Sequence, residues 1–110
     1  MELLTRGEEY VLLAIWRLQG EAYSVMIRRE IGRISGRDFS LGSVFAPLER
    51  LEKKGLVTST FTEATSERGG RRKRVYSLAP GGIDALREIK KIHESFWADL
   101  PVPSPEAENA

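Results

Sequence analysis

Five cations fall within seven residues around a glycine pair: Arg68, Arg71, Arg72, Lys73 and Arg74 flank Gly69-Gly70. Cations on an exposed turn can neutralise phosphates. Each phosphate neutralised releases condensed counterions, so binding of this kind falls steeply with salt. Arginines at a glycine-rich tip can also enter a narrow minor groove. A solvated surface could carry the same charges, so the preceding segment decides. There an amphipathic helix, SLGSVFAPLERLEKK, runs from Ser40 and stops at Gly55. Its polar side reads Gly42, Ser43, Ala46, Pro47, Arg50 and Lys54. A helix with a small, partly cationic face followed by a cationic hairpin can fill a major groove and clamp the phosphates beside it. The candidate DNA-binding residues are therefore Ser40, Gly42, Ser43, Ala46, Arg50 and Lys54 on the helix. Arg68, Gly70, Arg71, Arg72, Lys73 and Arg74 join them on the hairpin.

Catalysis finds no comparable constellation. Cysteine is absent, and His93 is the single histidine. Glu8 and Glu9 read as helix-start charges. Gly69-Gly70 lacks the strand-loop-helix order and the Lys-Ser/Thr ending of a phosphate-binding loop. No catalytic residue, metal site or cofactor is expected, and the chain does not read as an enzyme.

The elements that position these residues follow from capping and periodicity. Thr5 with Glu8 is a capping-box pair, opening a helix to about Leu18 that Gly20 ends. Its middle, Tyr10 to Trp16, is apolar nearly all round and needs two covering surfaces. A second helix fits Tyr23 to about Ile34, with Tyr23, Ile27, Ile31 and Ile34 as its buried stripe and Gly36 as its stop. Ser40 caps the third helix, and Phe39 with Val44 forms a hydrophobic staple. Leu41, Val44, Phe45, Leu48 and Leu51 are its expected core stripe. Pro47 is expected to bend it. Leu56–Thr62 and Arg74–Leu78 read as two strands. A last helix runs from Pro80 to Leu100, with Leu86, Ile89, His93, Phe96 and Leu100 at 3-4 spacing and Ile92 and Trp97 beside them.

The fold class is thus mainly α with a small β-hairpin: a winged helix-turn-helix plus a C-terminal dimerisation helix. The organisation is a DNA-binding domain over 1–79, that helix over 80–100, and a Pro-rich tail over 101–110 expected to be disordered. With 110 residues, one small domain is the expectation, and small domains gain from a partner subunit. Leu86, Ile89, Ile92, His93, Phe96, Trp97 and Leu100 form the expected dimer seam, where protonation of His93 would oppose pairing. Trp16 and Trp97 are candidates for a flat apolar ligand pocket. Lys+Arg of 17 against Asp+Glu of 16 leaves a net charge of +1, so the distribution of charge carries the signal rather than its sum. The N-terminus does not read as a signal peptide, and no apolar run nears the roughly 20 residues that span a bilayer. A cytoplasmic protein without membrane contact is expected.

The segments LTRGEEYVLLAI, EAYSVMIRREI, FSLGSVFAPLERLEKKGLV and ERGGRRKRVYSLAPGG together resemble the PadR family of bacterial transcriptional regulators. The form resembled is the short one with a single C-terminal helix, and the likeness covers about residues 3–100. The resemblance implies a homodimer that binds double-stranded operator DNA, an inverted repeat, through its winged domains. It also implies repression relieved by small phenolic or drug-like compounds. The family often has Tyr where this chain has Phe45, Thr where it has Ala79, and Pro directly after the aromatic residue, where here Ala46 intervenes before Pro47. The competing reading is a winged-helix protein–protein interaction module without DNA binding, because fold does not fix function. A protein-binding wing has no need of five cations, and that favours the regulator.

Overall fold

The computed structural model describes residues 3–62 and 72–104. Helix α1 spans Arg6–Leu18, α2 Ser24–Ser35 and α3 Leu41–Lys53. Strands β1 (Val57–Phe61) and β2 (Arg74–Leu78) follow, and α4 (Pro80–Trp97) closes the order. This is the mainly helical winged architecture expected.

Thr5 opens α1 through a full capping box. Its hydroxyl accepts the Glu8 N–H at 3.1 Å, and Glu8 Oε1 accepts the Thr5 N–H at 2.8 Å. Gln19 rather than Gly20 makes the left-handed cap, with φ 41°. Helix α2 begins one residue later than expected, after Tyr23, and ends at the left-handed Gly36. Ile27 and Ile31 are buried, but Ile34 is exposed and leaves the expected stripe. Ser40 caps α3 as the sequence suggests. The buried side of α3 is rotated, however. Val44, Pro47, Leu48 and Leu51 are buried, whereas Leu41 and Phe45 are exposed. Pro47 turns inward, where its ring lies near Gly7 at the start of α1.

The three helices enclose Leu12, Val11, Ile27, Val44, Leu48 and Leu51, all essentially fully buried. The hairpin is antiparallel, pairing Val57 with Leu78 and Phe61 with Arg74. It is tied to the helices through its backbone. The Tyr76 N–H donates to the Ala22 carbonyl at 3.0 Å, and Tyr23 bridges Val75. Pro80 occupies the first turn of α4, and Ala79 gives no side-chain cap. Gly82 packs so closely on Leu56 that a Cβ there would overlap the Leu56 carbonyl oxygen. Ala85 completes the contact with the core. From Lys90 onward every residue of α4 is exposed. The helix stops at Trp97, short of the expected Leu100, and Asp99 turns the chain with φ 62°.

Candidate nucleic-acid interface

The outward face of α3 carries Gly42, Phe45, Ala46 and Glu49, with Ser43 and Arg50 on its flank; all six are exposed. Its first turn is held by a paired hydroxyl cap. Ser40 Oγ accepts the Ser43 N–H at 3.1 Å and lies 2.9 Å from Ser43 Oγ. The preceding turn is pinned by Arg28, whose guanidinium donates to the Phe39 carbonyl at 3.5 Å. Ser40, Gly42, Ser43 and Ala46 thus lie at the solvent side of the helix start, as the sequence suggests. Phe45 joins them. It was expected in the core, and the inward turn of Pro47 goes with its exposure.

The far end of α3 is anchored by a group the sequence assigned a simpler task. Glu8 is 1% exposed, and its carboxylate receives Lys54 Nζ at 2.8 Å, with Arg50 Nε at 3.6 Å. Burial pushes the Glu8 carboxyl up, but the Lys54 hydrogen bond and the two Thr5 contacts outweigh it and leave the group below its ordinary value. Lys54 is therefore held inward against α1. Arg50 keeps an exposed flank but leans on the same carboxylate. A second tie joins α1 to α2. Glu30 receives Arg33 and Arg17, which hold its carboxyl down at about 2.

The loop end of the strand pair is fastened to α3 by Arg74, which pairs with Phe61. Its guanidinium meets both Glu52 carboxylate oxygens at 3.0 and 3.1 Å, and its Nε donates to Ser59 Oγ at 2.9 Å. The same group lies over the rings of Phe61 and Tyr76. Arg74 thereby ties the start of β2 to the end of α3. Lys73 Nζ lies 5.4 Å from the Tyr23 ring centroid, and its backbone pairs with Thr62. Arg72 and Lys73 are exposed at the point where the hairpin leaves the body. Arg68, Gly70 and Arg71 lie outside the described residues, as does the tail beyond Ser104.

On another side of the molecule, α1 and α4 form a groove of about 810 Å³ lined by Tyr10, Leu13, Trp16, Leu86, Ile89 and His93, among others. Trp16 is half exposed on its wall, whereas Trp97 does not line it. Ile92, Phe96, Trp97 and Leu100 are exposed on the free half of α4 and just beyond it. His93 Nε2 lies 3.0 Å from Glu9 Oε1. Among the described residues, no group of three or more His, Cys, Asp or Glu could hold a metal ion. Nor is any helix among them long and apolar enough to cross a membrane.

The Glu8–Lys54 and Glu52–Arg74 ties escaped the sequence reading, because each joins residues far apart in the chain and no local pattern marks them. The exposure of Phe45 had no local signal either: Pro47 packs near Gly7, and residues two apart on a helix point to nearly opposite sides.

A family model described as the transcriptional regulator PadR-like family matches residues 11–88. RosR of H. salinarum superposes with a TM-score of 0.68 at 23% identity, covering 96% of this chain and 86% of that one. A PadR family transcription regulator from Clostridium difficile R20291 gives 0.67 at 23% identity, covering 87% and 94%. BpsR of Bordetella bronchiseptica, whose DNA binding is described as regulated by 6-hydroxynicotinic acid, gives 0.63 at 20% identity, covering 89% and 68%. At these identities the structural likeness speaks for the fold. No curated protein matches the sequence.

Proposed function

The chain belongs to the transcriptional regulator PadR-like family, and on that premise we propose that it is a dimeric, DNA-binding repressor of the cytoplasm, released by a small aromatic effector. The observation that carries the reading is the juxtaposition of two surfaces. The small-residue start of α3 stands exposed, and Arg74, the first residue of β2, is tied to Glu52 in the last turn of the same helix. Ser43, Ala46 and Phe45 face the bases, Arg50 reaches from the flank, and Arg71, Arg72 and Lys73 neutralise phosphates. Lys54 and Arg74 support this surface from behind, through Glu8 and Glu52.

Dimerisation is supported by the free half of α4, where Ile92, Phe96 and Trp97 stand exposed, together with Leu13 and Trp16 on α1. Two-fold pairing would place two copies of α3 on half-sites about 34 Å apart, in successive major grooves of an inverted repeat. The α1–α4 groove supports an aromatic effector, since Tyr10 and Trp16 offer ring faces and His93 a polar group.

The test is selection of genomic fragments by the purified protein at physiological salt, followed by fluorescence anisotropy on the enriched sequences. Enrichment of a palindromic site, including one upstream of the protein's own gene, is expected. Failure to enrich any fragment, with heparin retention no stronger than that of a neutral protein, would contradict the reading and favour a protein-binding wing.

A further inference from the structure

We propose that Phe45 is a specificity-determining residue that recognises the 5-methyl group of thymine in the major groove. The proposal rests on the DNA-binding reading above and deepens it. Its starting point is a mismatch between residue type and environment. Val44 and Leu48 are 0% and 1% exposed, whereas Phe45, between them, is 47% exposed. A half-exposed phenylalanine on a small domain invites an apolar contact made on binding.

Its position names the contact. Gly42, Phe45, Ala46 and Glu49 recur at i, i+3, i+4 and i+7 and so share one face of α3. Phe45 lies in the second turn of α3, and its side chain borders a recess shared with Leu48, Glu49, Arg74 and Tyr76, on the side toward the hairpin. The N-terminal turns of a recognition helix are the ones that meet base edges. Gly42 adds no bulk there, which lets the ring and the methyl of Ala46 approach the groove floor.

Hydrogen-bonding readers are scarce on this face. Ser40 and Ser43 bond to each other, Arg50 leans on Glu8, Lys54 is held by the same carboxylate, and Glu49 lies 3.5 Å from Lys53. Among the outward groups, Phe45 and Ala46 supply the apolar surface. The apolar group displayed by base pairs in the major groove is the thymine methyl. The phenyl ring has no hydroxyl with which to hold a phosphate, so it gains by burying apolar surface, and on a base edge that surface is the methyl.

Replacing single thymines by deoxyuridine in a selected site removes the methyl and keeps the base pair. With the wild-type protein, anisotropy should show a loss of about fourfold at one or two positions per half-site, the value expected for burying one methyl group. Phe45→Ala should bind thymine and uracil sites within about 1.5-fold of each other, while Phe45→Leu keeps most of the discrimination. Phe45 is half exposed, so both variants should melt close to wild type. Equal wild-type affinity for thymine and uracil sites overturns the proposal. So does a fourfold loss that persists undiminished in Phe45→Ala. Either result leaves the DNA-binding reading standing, whereas absence of any selected site overturns that reading itself.

Discussion

Replacing Glu8 by Gln tests how the chain positions its third helix. The wild-type carboxylate is buried and bonds Thr5 N–H and Lys54 Nζ, each at 2.8 Å. Glutamine can still accept from Thr5, so the capping box survives. What disappears is the charge opposite Lys54 and Arg50. Breaking a fully buried pair costs about 3–5 kcal/mol, and an exposed one about 0–1. The Lys54 side chain is 24% exposed against 1% for Glu8, so the loss should fall between, at about 2 kcal/mol. For a domain of this size that lowers Tm by roughly 8–16 °C. The pH dependence gives the sign. The native Glu8 carboxyl lies below its ordinary value of 4.5. Its contribution is therefore fully present above that value and is lost as pH falls through the native one. Circular dichroism melts of both proteins, at equal protomer concentration, should differ most at neutral pH and converge in acid. A Tm gap that stays constant from neutral pH into acid, or no gap at neutral pH, would refute the reasoning.

Arg74→Ala should cost only about 1 kcal/mol, since its side chain is partly exposed. Amide exchange in β1 and β2 should nevertheless quicken selectively, and unchanged exchange there would show that the clamp is idle. Gly82→Ala should destabilise by about 1–3 kcal/mol, because its Cβ meets the Leu56 backbone rather than a movable side chain; denaturant melts would register it as a lowered midpoint. Changing both Ile89 and Phe96 to Asp should convert a dimer to a monomer in light scattering after size exclusion. A wild-type protein that is already monomeric at micromolar concentration would contradict the proposed assembly.

Much of the architecture was legible because its signals are local. Thr5 and Glu8 announced α1, Ser40 announced α3, and Pro80 announced α4. Arg74–Leu78 read as a strand and forms β2. The outward placement of Gly42, Ser43 and Ala46 also followed from helical periodicity. The rotation of α3 did not, because residue type favoured burying Phe45 and exposing Pro47. Packing of the proline ring near Gly7 is a tertiary contact with no local signature. The same holds for Lys54 and Arg74. Charge counting placed them among phosphate ligands, while Glu8 and Glu52, 46 and 22 residues away in the chain, claim their head groups. In the last helix the apolar stripe was visible, but its end at Trp97 was not, since the sequence there carries no glycine stop.

If the exposed face of α3 and the cationic hairpin grip DNA together, binding must depend steeply on salt. Affinity for a selected operator should be measured by anisotropy across a series of salt concentrations, for the wild type and for a variant with Arg71→Ala and Arg72→Ala. Each lost phosphate contact lowers the slope of log affinity against log salt by about 0.9. The slope should be flatter by about two in the variant, with weakening shared across operator and unrelated DNA alike. An identical slope in both proteins would contradict it.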